Sequence, residues 1–323
     1  MNILITGCAG FIGFHSTLKF LNEGYKVIGI DNLNNYYSPK LKNNRLKYIK
    51  NKFKNNFKFY RLDLESYSEI KKIYKSYKIG TVLHLGAQAG VRYSIENPEV
   101  YIKSNINGFY NIIELSRLNK IKNFLYASSS SVYGNNRTYP LNEDLNTDNP
   151  LSLYAASKKT NELIANSYFN IFKFKSVGLR FFTVYGPFGR PDMIIYKLFE
   201  SIYFKTKINI YNNGNHYRDF TFVDDVTEYI YRLLKNRSKL KNGAEILNIG
   251  CGNSISLKKI IQLVEKISKS KLKYKLVDMQ LGDVIKTHSD TSKIEKITKY
   301  KAKYNYIEGI NTFHEWFKNY HKI

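Results

Sequence analysis

The sequence predicts an α/β fold in which helices cover both faces of a parallel, doubly wound sheet. Two observations predict it. Short apolar runs alternate with segments of helical periodicity through the first half of the 323-residue chain, which is the pattern of repeated βαβ units. The chain also begins with an apolar run, at residues 2–6, that leads directly into a glycine-rich turn and then a helix.

The predicted elements of the first part follow one another in the order of such units. Each strand is a short apolar run, and each helix has apolar residues three or four positions apart. We predict strands at residues 2–6, 26–31, 57–62, 81–85, 123–127 and 176–182, and helices at residues 12–23, 67–75, 100–119 and 155–172. Together these elements define a first domain at residues 1–182.

The pattern changes after Phe182. Residues 183–192 contain two glycines and two prolines, which cannot continue a helix or a central strand. We therefore place a smaller C-terminal α/β region, expected to bind the substrate, at residues 183–323. In this region we predict a helix at 223–235, a strand at 246–249 and a helix at 257–268, and we expect elements near 220–250 to pack back on the first domain.

Composition restricts the location of the protein. The chain has two cysteines, Cys8 and Cys251, which are too few for a disulfide framework, and no residue spacing resembles a zinc site. The N-terminus lacks the pattern of a signal peptide, and no apolar run reaches the length of a membrane span. We expect a cytoplasmic protein with no membrane insertion and no bound metal.

The formal net charge of +25 raises the question of a nucleic-acid partner. The surplus is mostly lysine, and it is spread over many predicted elements together with Asn, Ile and Tyr. A nucleic-acid site would instead collect its cations on one stripe or face. We expect no nucleic-acid partner, although the charge favours anionic substrates through long-range steering.

A G-x-x-G-x-x-G turn, formed by Gly7, Gly10 and Gly13, lies between the first predicted strand and helix. In such turns the glycines permit a tight turn and let a pyrophosphate approach the backbone at the helix N-terminus. Asp31 closes the second predicted strand, 18 residues after Gly13. A carboxylate there accepts hydrogen bonds from ribose hydroxyls and repels the 2′-phosphate of NADP. These residues predict a dinucleotide site of the Rossmann type that takes NAD.

Tyr154 and Lys158 are four residues apart and therefore share one face of a predicted helix. A cationic lysine beside a phenol favours the phenolate, so we expect Lys158 to lower the pKa of Tyr154 and make it a general acid and base. Ser128 to Ser131 follow the predicted strand at 123–127. Ligands of such sheets bind at the carboxyl ends of the strands, so a serine there can hydrogen-bond a substrate oxygen.

Together these residues resemble the extended short-chain dehydrogenase/reductase family of nucleotide-sugar epimerases. Three segments are similar to those of UDP-glucuronate 4-epimerases in particular: DNLNNYY at residues 31–37, AQAGVRYS at 87–94 and RFFTVYGPFGRPDM at 180–193. The resemblance implies reversible oxidation at C4 of a UDP-sugar, with bound NAD taking and returning the hydride. UDP-glucuronate is the implied substrate and UDP-galacturonate the product. The resemblance also implies a homodimer formed through two long helices.

The resemblance assigns roles to individual positions. Tyr154 is the implied base and acid, Lys158 tunes it, and Ser129 holds the 4-oxygen. The implied cofactor contacts are Gly7, Gly10, Phe11, Ile12, Gly13, Asp31, Asn32, Asn35, Asp63, Leu64, Leu85, Gly86, Ala87, Asn105, Tyr154, Lys158 and Phe182. The implied substrate contacts are Ser129, Arg92, Thr183, Arg190, Arg218 and Asp283. Of these, Thr183 and Arg190 are the candidates for the sugar carboxylate.

Several alternatives stay open at this point. The substrate could be UDP-glucose or UDP-N-acetylglucosamine, and the 4-keto form of a uronate could lose carbon dioxide instead of being epimerised. Dehydratases of the family carry an Asp-Glu pair where this sequence has Ser130 and Ser131, which disfavours elimination. A non-enzymatic sensor of NAD or RNA-binding protein of the same fold would have no need of the Tyr154, Lys158 and Ser129 set.

Overall fold

The computed structural model describes residues 1–240 and 243–323. The strands are β1 (Asn2–Thr6), β2 (Lys26–Asp31), β3 (Phe57–Arg61), β4 (Ile79–His84), β5 (Asn123–Ser129), β6 (Ser176–Phe181), β7 (Thr183–Tyr185), β8 (Ile208–Tyr211), β9 (Tyr217–Phe222), β10 (Ala244–Ile249), β11 (Ser254–Ser256) and β12 (Tyr274–Val277). The α-helices are α1 (Phe11–Asn22), α2 (Pro39–Lys52), α3 (Tyr67–Ser76), α4 (Tyr93–Glu96), α5 (Pro98–Tyr101), α6 (Gly108–Leu118), α7 (Leu153–Phe172), α8 (Ile194–Phe204), α9 (Val223–Lys235), α10 (Leu257–Ser268), α11 (Ser292–Thr298) and α12 (Tyr306–His321).

The first strand, β1, lies in the interior of the large sheet, between β4 and β2. Within the described residues, seven parallel strands are ordered β10-β6-β5-β4-β1-β2-β3. The chain therefore winds outward from β1 in one direction and then, from β4, in the other. The fold class predicted from the sequence is confirmed. Ligands of such sheets bind where the winding reverses, at the carboxyl ends of β1 and β4.

Apolar residues of both sheet faces are covered by helices. On one face Ile3 and Ile5 of β1 share a buried cluster with Phe14 of α1 and Ile230 of α9. On the other face Leu4 shares a cluster with residues of α3, α6 and α7. Alternate residues of one strand thus point into two different cores, and this explains the continuous apolar run at residues 2–6.

Two of the later elements lie with the first domain in space. Strand β10 pairs in parallel with β6 at the edge of the large sheet, and α9 contributes to the same buried cluster as α1. Residues 241–242, inside the segment near 220–250, lie outside the described residues. The division of the chain between residues 182 and 183 stays a prediction.

The C-terminal region has its own core. Strands β7, β9 and β11 form a small mixed sheet, and β8 pairs with β12. Helices α8, α10 and α12 share a buried cluster that includes Phe199, Ile260 and Phe313. In the described part of the chain, no helix is long and apolar enough to cross a membrane.

The structure contains several strands and helices that the sequence analysis did not predict, among them α2, and it divides one helix that was predicted as continuous. Helix α2 was not predicted, because its Lys- and Asn-rich sequence has few apolar residues; Leu41, Leu46 and Ile49 nevertheless form a buried stripe. The single helix predicted at 100–119 is interrupted by a π-helical turn at residues 102–107, between α5 and α6. A π-turn leaves no signature in apolar spacing that distinguishes it from an α-helix.

A tight backbone approach at the start of α1 gives a testable consequence. A Cβ added at Gly13 would overlap the carbonyl oxygen of Gly7, a backbone atom that cannot move aside. We expect Gly13→Ala to lower the free energy of unfolding by at least about 2 kcal/mol and to abolish NAD binding. Urea unfolding and cofactor titration would measure the two effects.

The matched control for this variant is Gly243→Ala. A Cβ at Gly243 would meet only a ring carbon of Phe169, at 4.0 Å, so its stability should stay within about 0.5 kcal/mol of the wild type. Wild-type stability and NAD affinity in Gly13→Ala would contradict the packing described for this turn.

Candidate active site

A cleft of about 950 Å³ lies at the carboxyl ends of the parallel strands, between the large sheet and the C-terminal region. Most of the predicted site residues line it. They are Gly7, Gly10, Phe11, Ile12, Gly13, Asp31, Asn32, Leu64, Leu85, Gly86, Ala87, Arg92, Ser129, Tyr154, Lys158, Phe182, Thr183, Arg190, Arg218 and Asp283. Residues more than 200 positions apart in the chain therefore face one cavity.

The glycine turn forms a cradle that leaves no room for side chains. Gly7 has a φ of +69°, and a Cβ there would lie 2.7 Å from the amide nitrogen of Gly86. The Gly7 amide donates to the carbonyl of Ile30 at 2.7 Å. This fixes the turn between β2 and the end of β4 and places the N-terminus of α1 at the cleft. The arrangement fits a bound pyrophosphate, because backbone amides at a helix start can reach its oxygens.

Asp31 is held at the end of β2 by the backbone. Its carboxylate accepts hydrogen bonds from the amide of Ala9, at 3.1 Å, and from the amide of Leu33, at 2.9 Å. The side chain is thus oriented beside the glycine turn. A carboxylate in this place suits ribose hydroxyls and disfavours a 2′-phosphate.

The surroundings of Tyr154 raise the pKa of its phenol rather than lower it. Burial is the largest cause, and it is opposed by a hydrogen bond with Ser129 and by the charge of Arg190. The expectation that Lys158 lowers the pKa of Tyr154 is therefore wrong for the protein without cofactor and substrate. Desolvation of the phenolate outweighs the opposing effects of Ser129 and Arg190.

Lys158 is buried, and its ammonium group donates to the carbonyl of Ala127 at 2.9 Å. Burial lowers the pKa of Lys158 to about 8. The Lys158 ammonium is held by the end of β5, one helical turn below Tyr154. It lies in the cleft wall, where it can also donate to a ligand hydroxyl.

A polar network supports the first turn of α7 from behind. Asn105, in the π-helical turn, donates to the hydroxyl of Ser157 at 3.0 Å, and Ser157 donates to the carbonyl of Tyr154 at 2.8 Å. The Asn105 side chain also exchanges two hydrogen bonds with the backbone of Gln88. The wide turn thus aims Asn105 between the β4 loop and the helix that carries Tyr154.

Arg190 already has a carboxylate partner within the chain. It makes a two-pronged ion pair with Asp192 through Nε and Nη2, and Tyr36 donates to the same carboxylate at 3.1 Å. The Arg190 Nη1 group is outside this pair. Thr183, at the start of β7, also lines the cleft.

The far end of the cleft is lined by two arginines and an acid. Arg92 donates to the carboxylate of Asp283 at 3.2 Å and lies 4.3 Å from the ring centroid of Tyr211. Arg218 donates to the carbonyls of Tyr217 and Ile285. An aromatic face and two guanidinium groups suit a base and a diphosphate.

Three predicted cofactor residues do not line the cleft. Asn35 and Asp63 are exposed, with Asp63 accepting a hydrogen bond from Asn32 at 2.6 Å, and Asn105 lies behind the wall. Conversely, the cleft contains residues that the sequence analysis did not single out, among them Asn34, Tyr36, Lys42, Gln88, Asp192 and Tyr211. Asn34 and Tyr36 belong to the DNLNNYY segment, and the resemblance of that segment to UDP-glucuronate 4-epimerases could have identified them as site residues.

The chain is similar in sequence and in fold to known proteins. Residues 3–250 match the model of the NAD dependent epimerase/dehydratase family. Protein CapI of Staphylococcus aureus is 48% identical over 82% of this chain and 83% of that protein. A UDP-glucuronate 4-epimerase of Thermodesulfobacterium geofontis is 43% identical over 82% of this chain and 80% of its own length. The crystal structure of UDP-glucuronic acid 4-epimerase from Bacillus cereus, in complex with UDP-glucuronic acid and NAD, superposes with a TM-score of 0.92 at 31% identity, covering 99% of this chain and 100% of that one.

The burial of Lys158 leads to a prediction about stability. Its pKa is about 8 in the folded chain and about 10.4 when unfolded. The folded state therefore binds the proton more weakly, and the buried charge costs stability below pH 8; the cost fades as pH rises from about 8 to about 10.5. This difference in pKa corresponds to a loss of roughly 3 kcal/mol in the free energy of unfolding at neutral pH. Replacing Lys158 would remove this cost but would also remove the hydrogen bond to Ala127, which contributes about 1 kcal/mol.

We expect Lys158→Met to raise the free energy of unfolding of the cofactor-free protein by about 2 kcal/mol at pH 7 and to lose this gain by pH 10.5. Urea unfolding at several pH values measures it. Lys47→Met, at an exposed position on α2, is the control and should be neutral. A Lys158→Met protein less stable than the wild type at pH 7 would contradict the assigned cost of burial.

Proposed function

The chain belongs to the NAD dependent epimerase/dehydratase family, and from this membership we propose that it interconverts UDP-glucuronate and UDP-galacturonate by inverting C4 of the sugar. The observation that carries the proposal is a single cleft that is lined by the glycine turn, Tyr154, Ser129 and Arg190. A relative named UDP-glucuronate 4-epimerase and one named probable UDP-glucuronate 4-epimerase each match 82% of the chain.

The cofactor is NAD. Gly7, Gly10 and Gly13 would hold its pyrophosphate, and Asp31 its adenosine ribose, because the turn has no room for side chains and the carboxylate is already aimed beside it. When bound, NAD takes a hydride from C4 of the sugar and returns it to the opposite face. No net oxidation results, so the enzyme needs no added oxidant.

Tyr154 is the group that removes the proton from the 4-hydroxyl and later gives it back. Its raised pKa in the chain alone means that the phenol starts protonated at neutral pH. A general base works best with a pKa near the working pH. The charge of Arg190 and the hydrogen bond of Ser129 both lower the pKa of Tyr154, and Lys158, beside it on α7, holds the ribose of the cofactor.

Arg190 and Thr183 are the proposed contacts of the sugar carboxylate. The ion pair with Asp192 fixes the guanidinium plane and leaves Nη1 for a ligand. A guanidinium held in this way recognises an anion without losing side-chain freedom on binding. Arg92, Arg218 and Asp283 would hold the nucleotide at the far end of the cleft.

We also propose that the enzyme is a cytoplasmic homodimer. Helices α6 and α7 expose an apolar set on their outer faces, namely Tyr110, Leu118, Leu163, Ile171 and Phe172. A second copy placed on this set would bury it. The two cysteines are free thiols, Cys8 being buried, and they suit a reducing compartment.

Incubation with UDP-glucuronate alone tests the function. We expect UDP-galacturonate to form without added NAD and without release of carbon dioxide, as followed by chromatography of the nucleotide sugars. Tyr154→Phe should lower kcat by about 10³-fold or more while NAD stays bound. Tyr274→Phe, at an exposed position on β12 outside the cleft and outside the proposed dimer contact, is the control. Release of carbon dioxide, or turnover of UDP-glucose but not of UDP-glucuronate, would refute the substrate assignment.

The two ends of the cleft can be tested separately. We expect Arg190→Gln to raise KM for UDP-glucuronate by about tenfold or more and to leave the Kd of UDP unchanged, because UDP lacks the sugar carboxylate that Arg190 is proposed to bind. Arg218→Gln should weaken the binding of both ligands. Steady-state kinetics and calorimetric titration provide the two measurements. Equal weakening of UDP binding in both variants would show that Arg190 does not read the sugar.

A further inference from the structure

Arg45 is a buried cation that the mechanism does not use. It lies on α2, has no exposed surface and is among the largest fully buried side chains of the described residues. Its guanidinium makes three hydrogen bonds: Nη1 donates to the carbonyl of Ala9 at 2.8 Å and to the hydroxyl of Tyr37 at 2.6 Å, and Nη2 donates to the carbonyl of Phe188 at 2.6 Å.

These three oxygens belong to three separate parts of the cleft. Ala9 is in the glycine turn, and its amide donates to Asp31. Tyr37 closes the DNLNNYY segment. Phe188 belongs to the loop at residues 186–193, which joins β7 to α8 and carries Arg190. One side chain is thus hydrogen-bonded to the cofactor turn and to the loop that is proposed to read the substrate.

Other contacts also attach the loop at 186–193 to the cofactor domain, and Tyr36 donates to Asp192 of the loop at 3.1 Å. His15 of α1 is bonded through Nε2 to the carbonyl of Pro187 at 2.7 Å, next to the carbonyl that Arg45 holds. Phe188 has a φ of +57°, a conformation that is uncommon for an aromatic residue. Its ring packs 4.8 Å from that of Phe14 and 5.2 Å from that of Trp316. The strained residue therefore needs its partners to stay in place.

An arginine at this buried position lowers the stability of the folded chain. None of the acidic groups in the described residues forms an ion pair with Arg45, and its Nε has no partner. Burial of an unpaired charge is unfavourable. A planar fork with five N–H groups is, however, the side chain that can bind several oxygens at fixed relative positions. The geometry therefore indicates a role in holding the three segments together.

We propose that Arg45 is a positioning residue that fixes the loop at 186–193 against the glycine turn and so sets where Arg190 lies relative to the cofactor. The substrate carboxylate and the reacting carbon are then aligned by the same buried guanidinium. This inference rests on the proposed function only where it concerns the uronate. The hold on the loop is a property of the chain itself and can be measured without turnover.

The test compares NAD-loaded wild type, Arg45→Met and Arg45→Lys. We expect amide hydrogen exchange at residues 186–193 to be about tenfold faster in both variants, since a hydrogen bond that anchors the loop is lost. Exchange in α10, which is remote from Arg45, should not change. We also expect KM for UDP-glucuronate to rise by about tenfold, with the Kd of UDP altered less than about twofold. Arg45→Lys keeps the charge and serves as the readout should Arg45→Met not fold.

Lys47→Met, on the same helix but exposed, is the control and should behave as wild type. Unchanged exchange in the loop of both Arg45 variants would overturn the proposal. An equal acceleration in the loop and in α10 would also overturn it, because Arg45 would then be a general stabilising residue. If wild type does not act on UDP-glucuronate while the loop exchange still rises selectively, the proposed function fails and the positioning role stands.

Discussion

The close approach of three backbone segments at the centre of the sheet is the constraint on which this structure depends. Gly7, Gly13 and Gly86 bring the end of β1, the start of α1 and the end of β4 within a distance that excludes a Cβ. This contact places the helix start, the Asp31 carboxylate and the loop after β4 around one cavity. The binding of a dinucleotide therefore follows from packing that also holds the first domain together.

The side chains proposed to take part in the reaction are buried at a cost in stability. Lys158 is a buried ammonium with a lowered pKa, and Tyr154 a phenol whose pKa burial raises. Arg45 is a further buried cation beneath the same cleft. Burial in a cavity that excludes water strengthens the electrostatic interactions available to a substrate. The packing of the surrounding apolar clusters offsets the cost of burying these polar groups.

The side chains proposed to bind the substrate are held by contacts between distant parts of the chain. Arg190 is oriented by Asp192 and Tyr36, and its loop is held by His15 and Arg45. At the other end, Arg92 and Asp283 meet across the cleft, 191 positions apart in the chain. The two regions of the protein thus form one site, whose shape depends on how the C-terminal region sits on the sheet.

Periodicity and spacing within a few elements predicted the fold class, the glycine turn with Asp31, and the placement of Tyr154 and Lys158 on one helix face, whereas the choice of Ser129 among four serines came from the family resemblance. The sequence by itself did not reveal helix α2, the π-helical turn that aims Asn105, or the ion pair of Arg190. It also implied the wrong direction for the pKa of Tyr154. These features were decided by the tertiary structure, since burial and hydrogen bonding depend on residues that lie far apart in the chain and meet only when it folds.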